Sequence, residues 1–424
     1  MPVGASSLPL VELEKSQVST KWKQIRIRKN SLRRKSSDCS FGKFKEHLGF
    51  KAIEFFHAAK KTELTSSFTN RRLNRLATVF AVEYEDAFVW DTNNFRKTDR
   101  DVFSVADFDS SRLAGRVGEA LAYLTMVKWD YIYWDRCLTV WQRAARAAKV
   151  SHSDQLKVAK YVKRKVSSGK VANAPDFVFE KATGHIALME AKGGFVHPQY
   201  DDPPIKDDLA KALKQLKAWS DVIAPSPSKS FAIGSYLREE SDSNGDPSLI
   251  AFVDPEGDEV LNPRAVEFPE DLIRRCNYGA WLRGMGLVTS GMSLMDLRRK
   301  TPEAVSLPVV RIMNRNFAIT SLGWKLALGY ELYSYLWHEP YSLVDWSAGI
   351  LAMGLEVNTL RVVEQAIHNP DVPVLLRLDN QDINAVRGET DNVNWSIMPD
   401  GSCLLLLDRD NLYQALQGRQ VFKL

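Results

Sequence analysis

Cysteine is scarce in this chain of 424 residues: there are four, Cys39, Cys137, Cys276 and Cys403, far apart and with no CxxC pair among them. That spacing argues against a zinc ribbon or an HNH-like pair of cysteine clusters and gives no disulfide framework, so a reducing cytoplasm is the expected compartment. Apolar runs long enough to span a bilayer, about 20 residues, are missing. The N-terminus lacks the charged-then-apolar order of a signal peptide, and Glu12 and Glu14 weigh against a transit peptide. No Gx4GK[ST] loop occurs, so the chain should not power translocation along DNA, and a motor or regulator would be a separate protein. GxSxG, HExxH, an EF-hand loop and helical repeats are also missing.

Acidic residues are missing from one stretch in particular. The net charge is only +5, yet Lys21, Lys23, Arg26, Arg28, Lys29, Arg33, Arg34 and Lys35 follow one another without an acid between them. Such a block attracts polyanions through counterion release, which makes it the candidate nucleic-acid contact.

What is present is concentrated between Ala174 and Lys192, APDFVFEKATGHIALMEAK. Two apolar runs, Phe177–Phe179 and Ile186–Met189, flank a polar turn containing Gly184 and predict a β-hairpin. Alternation along a strand puts Glu190 and Lys192 on one side. With Asp176 opening the neighbouring strand, two carboxylates and an ammonium converge at one sheet edge. Burying that trio is costly without compensation, and a divalent cation supplies it. Mg2+ or Mn2+ takes oxygen ligands, often one or two carboxylates with phosphate and water. A lysine beside the ion can orient water and offset charge on a phosphorane-like transition state, so the trio suits metal-assisted phosphodiester hydrolysis.

Pro175-Asp176 followed by Glu190-Ala191-Lys192 resembles the PD-(D/E)xK nuclease superfamily. Arg116-Val117-Gly118-Glu119-Ala120-Leu121 resembles its N-terminal core helix, and Lys211-Ala212-Leu213-Lys214-Gln215-Leu216 its helix after the motif. The resemblance covers about Asp109 to Phe252. It implies a restriction-endonuclease-like α/β core, a mixed central sheet flanked by helices. It also implies metal ligation by Asp176, Glu190 and the Ala191 carbonyl, with Glu119 as an outer ligand, often through water. Lys192 would be the catalytic lysine, and Gln215 and Lys211 would support water or phosphate. On the residues alone, Glu119 could instead pair with Arg112, Arg116 or another neighbour at helical spacing.

Around this core the pattern predicts a basic, flexible tail over 1–40 and a small α+β region over 41–105. The nuclease core spans 106–255 with a helical insertion at 138–170, and an α+β domain of unknown role follows over 270–424. Within these, a strand is expected at Leu76–Val82, Gly193-Gly194 reads as a sharp turn, and Pro255–Pro269 as a linker. Beyond it, helices are predicted at Asp271–Leu282, Ile319–Leu336 and Asn358–Ile367, and strands at Val372–Leu378 and Ser402–Asp408. The cations of the insertion, among them Arg143, Lys157, Lys160 and Lys163, read as a wall gripping substrate. Arg71, Arg72 and Arg75 could form a phosphate-facing stripe, and His197 lies just past the motif.

The expected function is Mg2+-dependent hydrolysis of DNA, as an endonuclease in bacterial or antiviral defence, DNA repair or a mobile element. The family's analogy implies a 5′-phosphate product. An RNA-cleaving toxin on the same core stays open because these motifs do not report the sugar. So does a nucleic-acid-binding or assembly protein with a vestigial site. No membrane partner is expected; a homodimer or a separate regulatory protein fits.

Overall fold

The computed structural model describes residues 5–13, 43–64, 87–90, 92–99, 107–166, 174–196, 205–242, 248–254, 265–296, 304–321, 350–374, 386–390, 393–407 and 416–424. The chain is mixed α/β and divides into two compact units, residues 1–63 with 82–273 and residues 64–81 with 274–424.

The first unit runs β1 (Ala5–Glu12), β2 (Lys43–Lys51), α1 (Ala52–Glu63), β3 (Phe88–Val89), β4 (Arg96–Lys97) and α2 (Asp107–Lys128). It continues through β5 (Tyr131–Arg136), α3 (Cys137–Ala147), α4 (His152–Val166), β6 (Phe177–Lys181), β7 (Ile186–Val196) and α5 (Ile205–Ser220). It closes with β8 (Ile223–Ala224), β9 (Lys229–Arg238), β10 (Leu249–Val253) and β11 (Val266–Glu267). Its main sheet has seven strands in the order β2-β1-β10-β9-β7-β6-β5. β5, β6 and β7 are antiparallel neighbours, whereas β7 runs parallel to β9 across the α5 crossover. Val178, Phe179, Ala187, Leu188, Ala232 and Ile233 are fully buried although they span both side-chain parities of their strands. A sheet buried on both faces needs cover on both, and α2 and α5 each pack on β7 and β9.

The β6–β7 hairpin forms as its sequence suggests. Phe177 faces Met189 and Glu180 faces Ile186 in register, and Gly184 turns the chain at φ +83°. An aromatic cluster backs it: Trp134 stands edge-on to Phe177 at 5.0 Å between centroids and to Tyr123 of α2 at 5.7 Å.

Three expectations change here. The tail expected over 1–40 is not free at its start, because Ala5–Glu12 is strand β1, parallel to β10 and antiparallel to β2. Its Leu8 and Leu10 are fully buried, so alternate apolar side chains fix the segment in the sheet. Gly193-Gly194 is no turn: β7 runs straight through to Val196. The linker expected at Pro255–Pro269 contains β11, which pairs with β8.

In the second unit, most of α6 (Leu272–Gly284), then α7 (Val288–Asp296) and α8 (Val357–His368), accompany a seven-stranded sheet. Its strands are β12 (Ala304–Ile312), β13 (Arg315–Ser321), β14 (Ile350–Glu356), β15 (Val386–Thr390), β16 (Val393–Ile397), β17 (Ser402–Leu407) and β18 (Leu416–Lys423). They lie in the order β15-β16-β17-β14-β13-β12-β18, antiparallel throughout. α6, α8 and β17 fall where the sequence suggests, but Ile319–Ser321 belongs to β13 rather than to a helix. Its alternation against β14, with Phe317 and Ile319 in the core, outweighs the helix-like pattern that follows it in sequence. Val372–Val374 is not strand, and the rest of that predicted strand lies outside the described residues.

Candidate active site

The site lies at the end of the β6–β7 hairpin opposite its turn. β6 begins at Phe177, so Asp176 sits where the ladder opens, and its side chain takes over the pairing. Asp176 Oδ2 accepts from the Ala191 N–H at 2.9 Å, while the Asp176 N–H donates to Glu190 Oε2 at 3.0 Å. Pro175 before it offers no N–H to a ladder, consistent with the strand starting only afterwards. In an extended strand the N–H and C=O of one residue face the same edge. The Ala191 carbonyl therefore faces the side of β7 on which Asp176 lies.

Glu190 and Lys192 share a face, as alternation requires. Lys192 Nζ donates to Glu190 Oε1 at 2.5 Å. From α5, Gln215 Nε2 donates both to Glu190 Oε2 at 3.1 Å and to the Ala174 carbonyl at 2.7 Å. Gln215 thus ties the helix to both ends of the motif. Lys211, one turn earlier on α5, is exposed and pairs with Asp208 at 3.5 Å. It lies on the helix that carries Gln215 but makes no described contact with Asp176 or Glu190.

Glu119 reaches the site through an arginine. Arg136, the last residue of β5, grips it with both arms, Nη1 to Oε1 at 2.9 Å and Nη2 to Oε2 at 2.5 Å. The same guanidinium stands 3.7 Å from Asp176 Oδ1, donates to the Thr62 carbonyl and lies over the Phe177 ring. Of the helical partners open to Glu119 from the sequence, Arg116 pairs with Glu63 instead. Arg136 is the residue that sequence reading missed. Its signal was weak, a cation ending an apolar strand, and only the β5–β6 pairing, Arg136 opposite Phe177, brings it beside Asp176.

The helix that carries Glu119 approaches β7 closely because two glycines meet. A Cβ on Gly118 would stand 2.7 Å from Gly193 Cα, and one on Gly193 would stand 1.8 Å from the Ala114 carbonyl oxygen. Gly193 is therefore required for helix–strand contact rather than for a turn. Gly193 and Lys192 point to opposite faces, so α2 and α5 cover β7 from opposite sides and bracket the site.

Three carboxylates and two cations leave this cluster one negative charge in excess. Burial raises Glu190 to about 8, the nearby Asp176 charge adds to the shift, and Lys192 opposes it. Burial likewise pushes Asp176 and Glu119 upward against the opposing charge of Arg136. On Lys192, burial disfavours the charge, but Glu190, Asp176 and Asp208 together outweigh it and the pKa rises. The Cys137 thiol beside them is pushed up by burial and by both acids, so it is no nucleophile here.

No family model matches the chain, and neither a curated protein nor a solved structure matches it.

Among the described residues, no three His, Cys, Asp or Glu side chains are grouped so that they could hold a metal ion between them. The donor set that fits a hard cation is smaller: the carboxylates of Asp176 and Glu190 with the Ala191 carbonyl. Burial disfavours the charged form of both acids, and a cation bound between them would offset that. Glu119, held by Arg136, stands behind them.

The Lys21–Lys35 cluster, Arg71, Arg72, Arg75, the Leu76–Val82 strand and His197 lie outside the described residues. In the insertion, Lys157 pairs with Asp154, while Lys160 and Lys163 are exposed on α4. Cys137, Cys276 and Cys403 are buried. No described helix is long and apolar enough to cross a membrane.

Proposed function

We propose that the chain is a Mg2+- or Mn2+-dependent endonuclease with a restriction-endonuclease-like core, acting on DNA phosphodiester bonds in defence, repair or a mobile element. The observation that carries this reading is the convergence of Asp176, Glu190 and Lys192 where the β6–β7 ladder ends, two carboxylates cross-linked by backbone N–H groups with an ammonium on one of them. The mixed sheet, with α2 and α5 on its two faces, supports the core assignment.

Asp176, Glu190 and the Ala191 carbonyl would hold the cation. Bound there, it polarises a phosphate oxygen and makes a bound water more acidic. Lys192 supplies the mobile donor: its ammonium can leave Glu190 Oε1 to orient water and to meet charge developing on the phosphate. Gln215 fixes the Glu190 carboxylate from α5 and keeps it from swinging away. Arg136 holds Asp176 in place electrostatically while Glu119 holds Arg136. The family's analogy gives a 5′-phosphate product.

Asp176→Ala and Lys192→Ala are expected to abolish cleavage of DNA while leaving the fold and most DNA affinity intact. Either variant cleaving like the wild type would remove the basis of the proposal. Matched DNA and RNA of one sequence separate this reading from an RNA-cleaving toxin.

A further inference from the structure

A cleft of about 710 Å³ opens beside Asp176, between the insertion helices α3 and α4, and Arg136, Pro175 and Asp176 form part of its wall. Its volume falls within the range of about 300–1,000 Å³ typical of small-ligand pockets. Its floor rests on two buried tryptophans, Trp141 of α3 and Trp219 of α5, each 5 % exposed, which meet edge to face at 5.9 Å and 88°. Trp141 is fixed by donating to the Val222 carbonyl, and α4 is fastened by Tyr161 to Asp221. The buried Trp219 indole N–H finds no acceptor among the described residues.

The lining also carries exposed apolar groups out of place on a surface. Leu138 and Leu156, at 44 % and 50 % exposed, both line the cleft. Gln142, His152 and Gln155 add hydrogen-bonding groups, and exposed Lys160 and Lys163 stand on the same lining. Asp176 is the one acid of that lining. Exposed leucines, amide groups and cations together match a nucleobase with its flanking phosphates. A charged small metabolite would not need the leucine surfaces, and an apolar ligand would not need the lysines.

We propose that this cleft receives one unpaired DNA base next to the phosphate held at Asp176 and Glu190, so that the protein prefers duplexes carrying an unpaired base to fully paired ones. This rests on the nuclease reading and names its substrate class. A paired base cannot leave the stack without cost, whereas an unpaired one is already available to the exposed Leu138 and Leu156 of the cleft.

The test is fluorescence anisotropy of the full chain in chelator with two labelled duplexes, identical save for one unpaired base. The expected preference of the wild type for the unpaired duplex is about tenfold, the scale of burying one base against apolar side chains. Leu156→Asp and Gln142→Ala, both at exposed positions, are expected to reduce it to about threefold or less with unchanged thermal unfolding. Equal affinities in the wild type, no binding to either duplex, or variants that keep the preference would overturn the proposal. Mg2+-dependent cleavage is measured on the same duplexes. Cleavage without the preference sinks the cleft and leaves the nuclease standing, whereas the preference without cleavage does the reverse.

Discussion

Arg136→Met should show what holds the acids of the site together. The substitution keeps an unbranched side chain over the Phe177 ring but removes the two hydrogen bonds to Glu119, at 2.9 and 2.5 Å, and the charge 3.7 Å from Asp176. Removing one partner of a fully buried ion pair costs about 3–5 kcal/mol, because the other charge is left uncompensated. The side chains of Arg136 and Glu119 are 27 % and 22 % exposed, so water returns part of that. The expected loss is about 2–3 kcal/mol, which for a unit of this size lowers the unfolding temperature by roughly 5–10 °C. Thermal unfolding followed by circular dichroism or calorimetry measures it. The double variant Arg136→Met/Glu119→Gln removes the orphaned charge and should recover more than half of the loss. An unchanged unfolding temperature in Arg136→Met, or a double variant no more stable than the single, would refute the bridging role.

Three further outcomes follow from the geometry. Gly193→Ala places a Cβ 1.8 Å from the Ala114 carbonyl, a backbone atom that cannot swing aside, so α2 must shift off β7 at a cost of about 3 kcal/mol or more, seen in chemical denaturation. Glu190 keeps a proton up to about 8 in the fold, against 4.5 as the ordinary value, so the folded state binds more protons between those limits and loses stability as pH rises through them. Between pH 6 and pH 8 the metal-free protein should lose about 2 kcal/mol by urea titration, and Glu190→Gln, which has no charge to bury, should remove most of that slope. Neutralising the lysines and arginines from Lys21 to Lys35 should weaken DNA binding and flatten its salt dependence by about one unit of slope per lost phosphate contact, with cleavage chemistry unchanged at saturating protein.

The hairpin was legible because its information is local. Period-two apolar runs, a glycine turn and charged ends fix the face of every residue from Asp176 to Lys192 without reference to the rest of the chain. Helices α2 and α5 were legible for the same reason, and Gln215 could be placed near Glu190 from a motif. Arg136 was not, since its partners lie 17 residues before it on α2 and 40 residues after it, and only strand pairing joins them. Gly193-Gly194 was misread because a glycine pair signals a turn as well as a close approach, and only the facing Gly118 on another element decides between them. β1 was obscured by the basic stretch that follows it: a short alternating segment beside a cationic block reads as tail until β10 and β2 supply its neighbours. The same limit applies to the second unit, where an antiparallel sheet is assembled from strands far apart in sequence.

The most direct measurement of the central claim is incubation of supercoiled plasmid with the purified protein, with and without Mg2+ or Mn2+, beside the Glu190→Ala/Lys192→Ala double variant. Metal-dependent nicking or linearisation by the wild type is expected, with none by the double variant at equal DNA binding. Nicking that persists in the double variant, or that proceeds equally well in chelator, would contradict it.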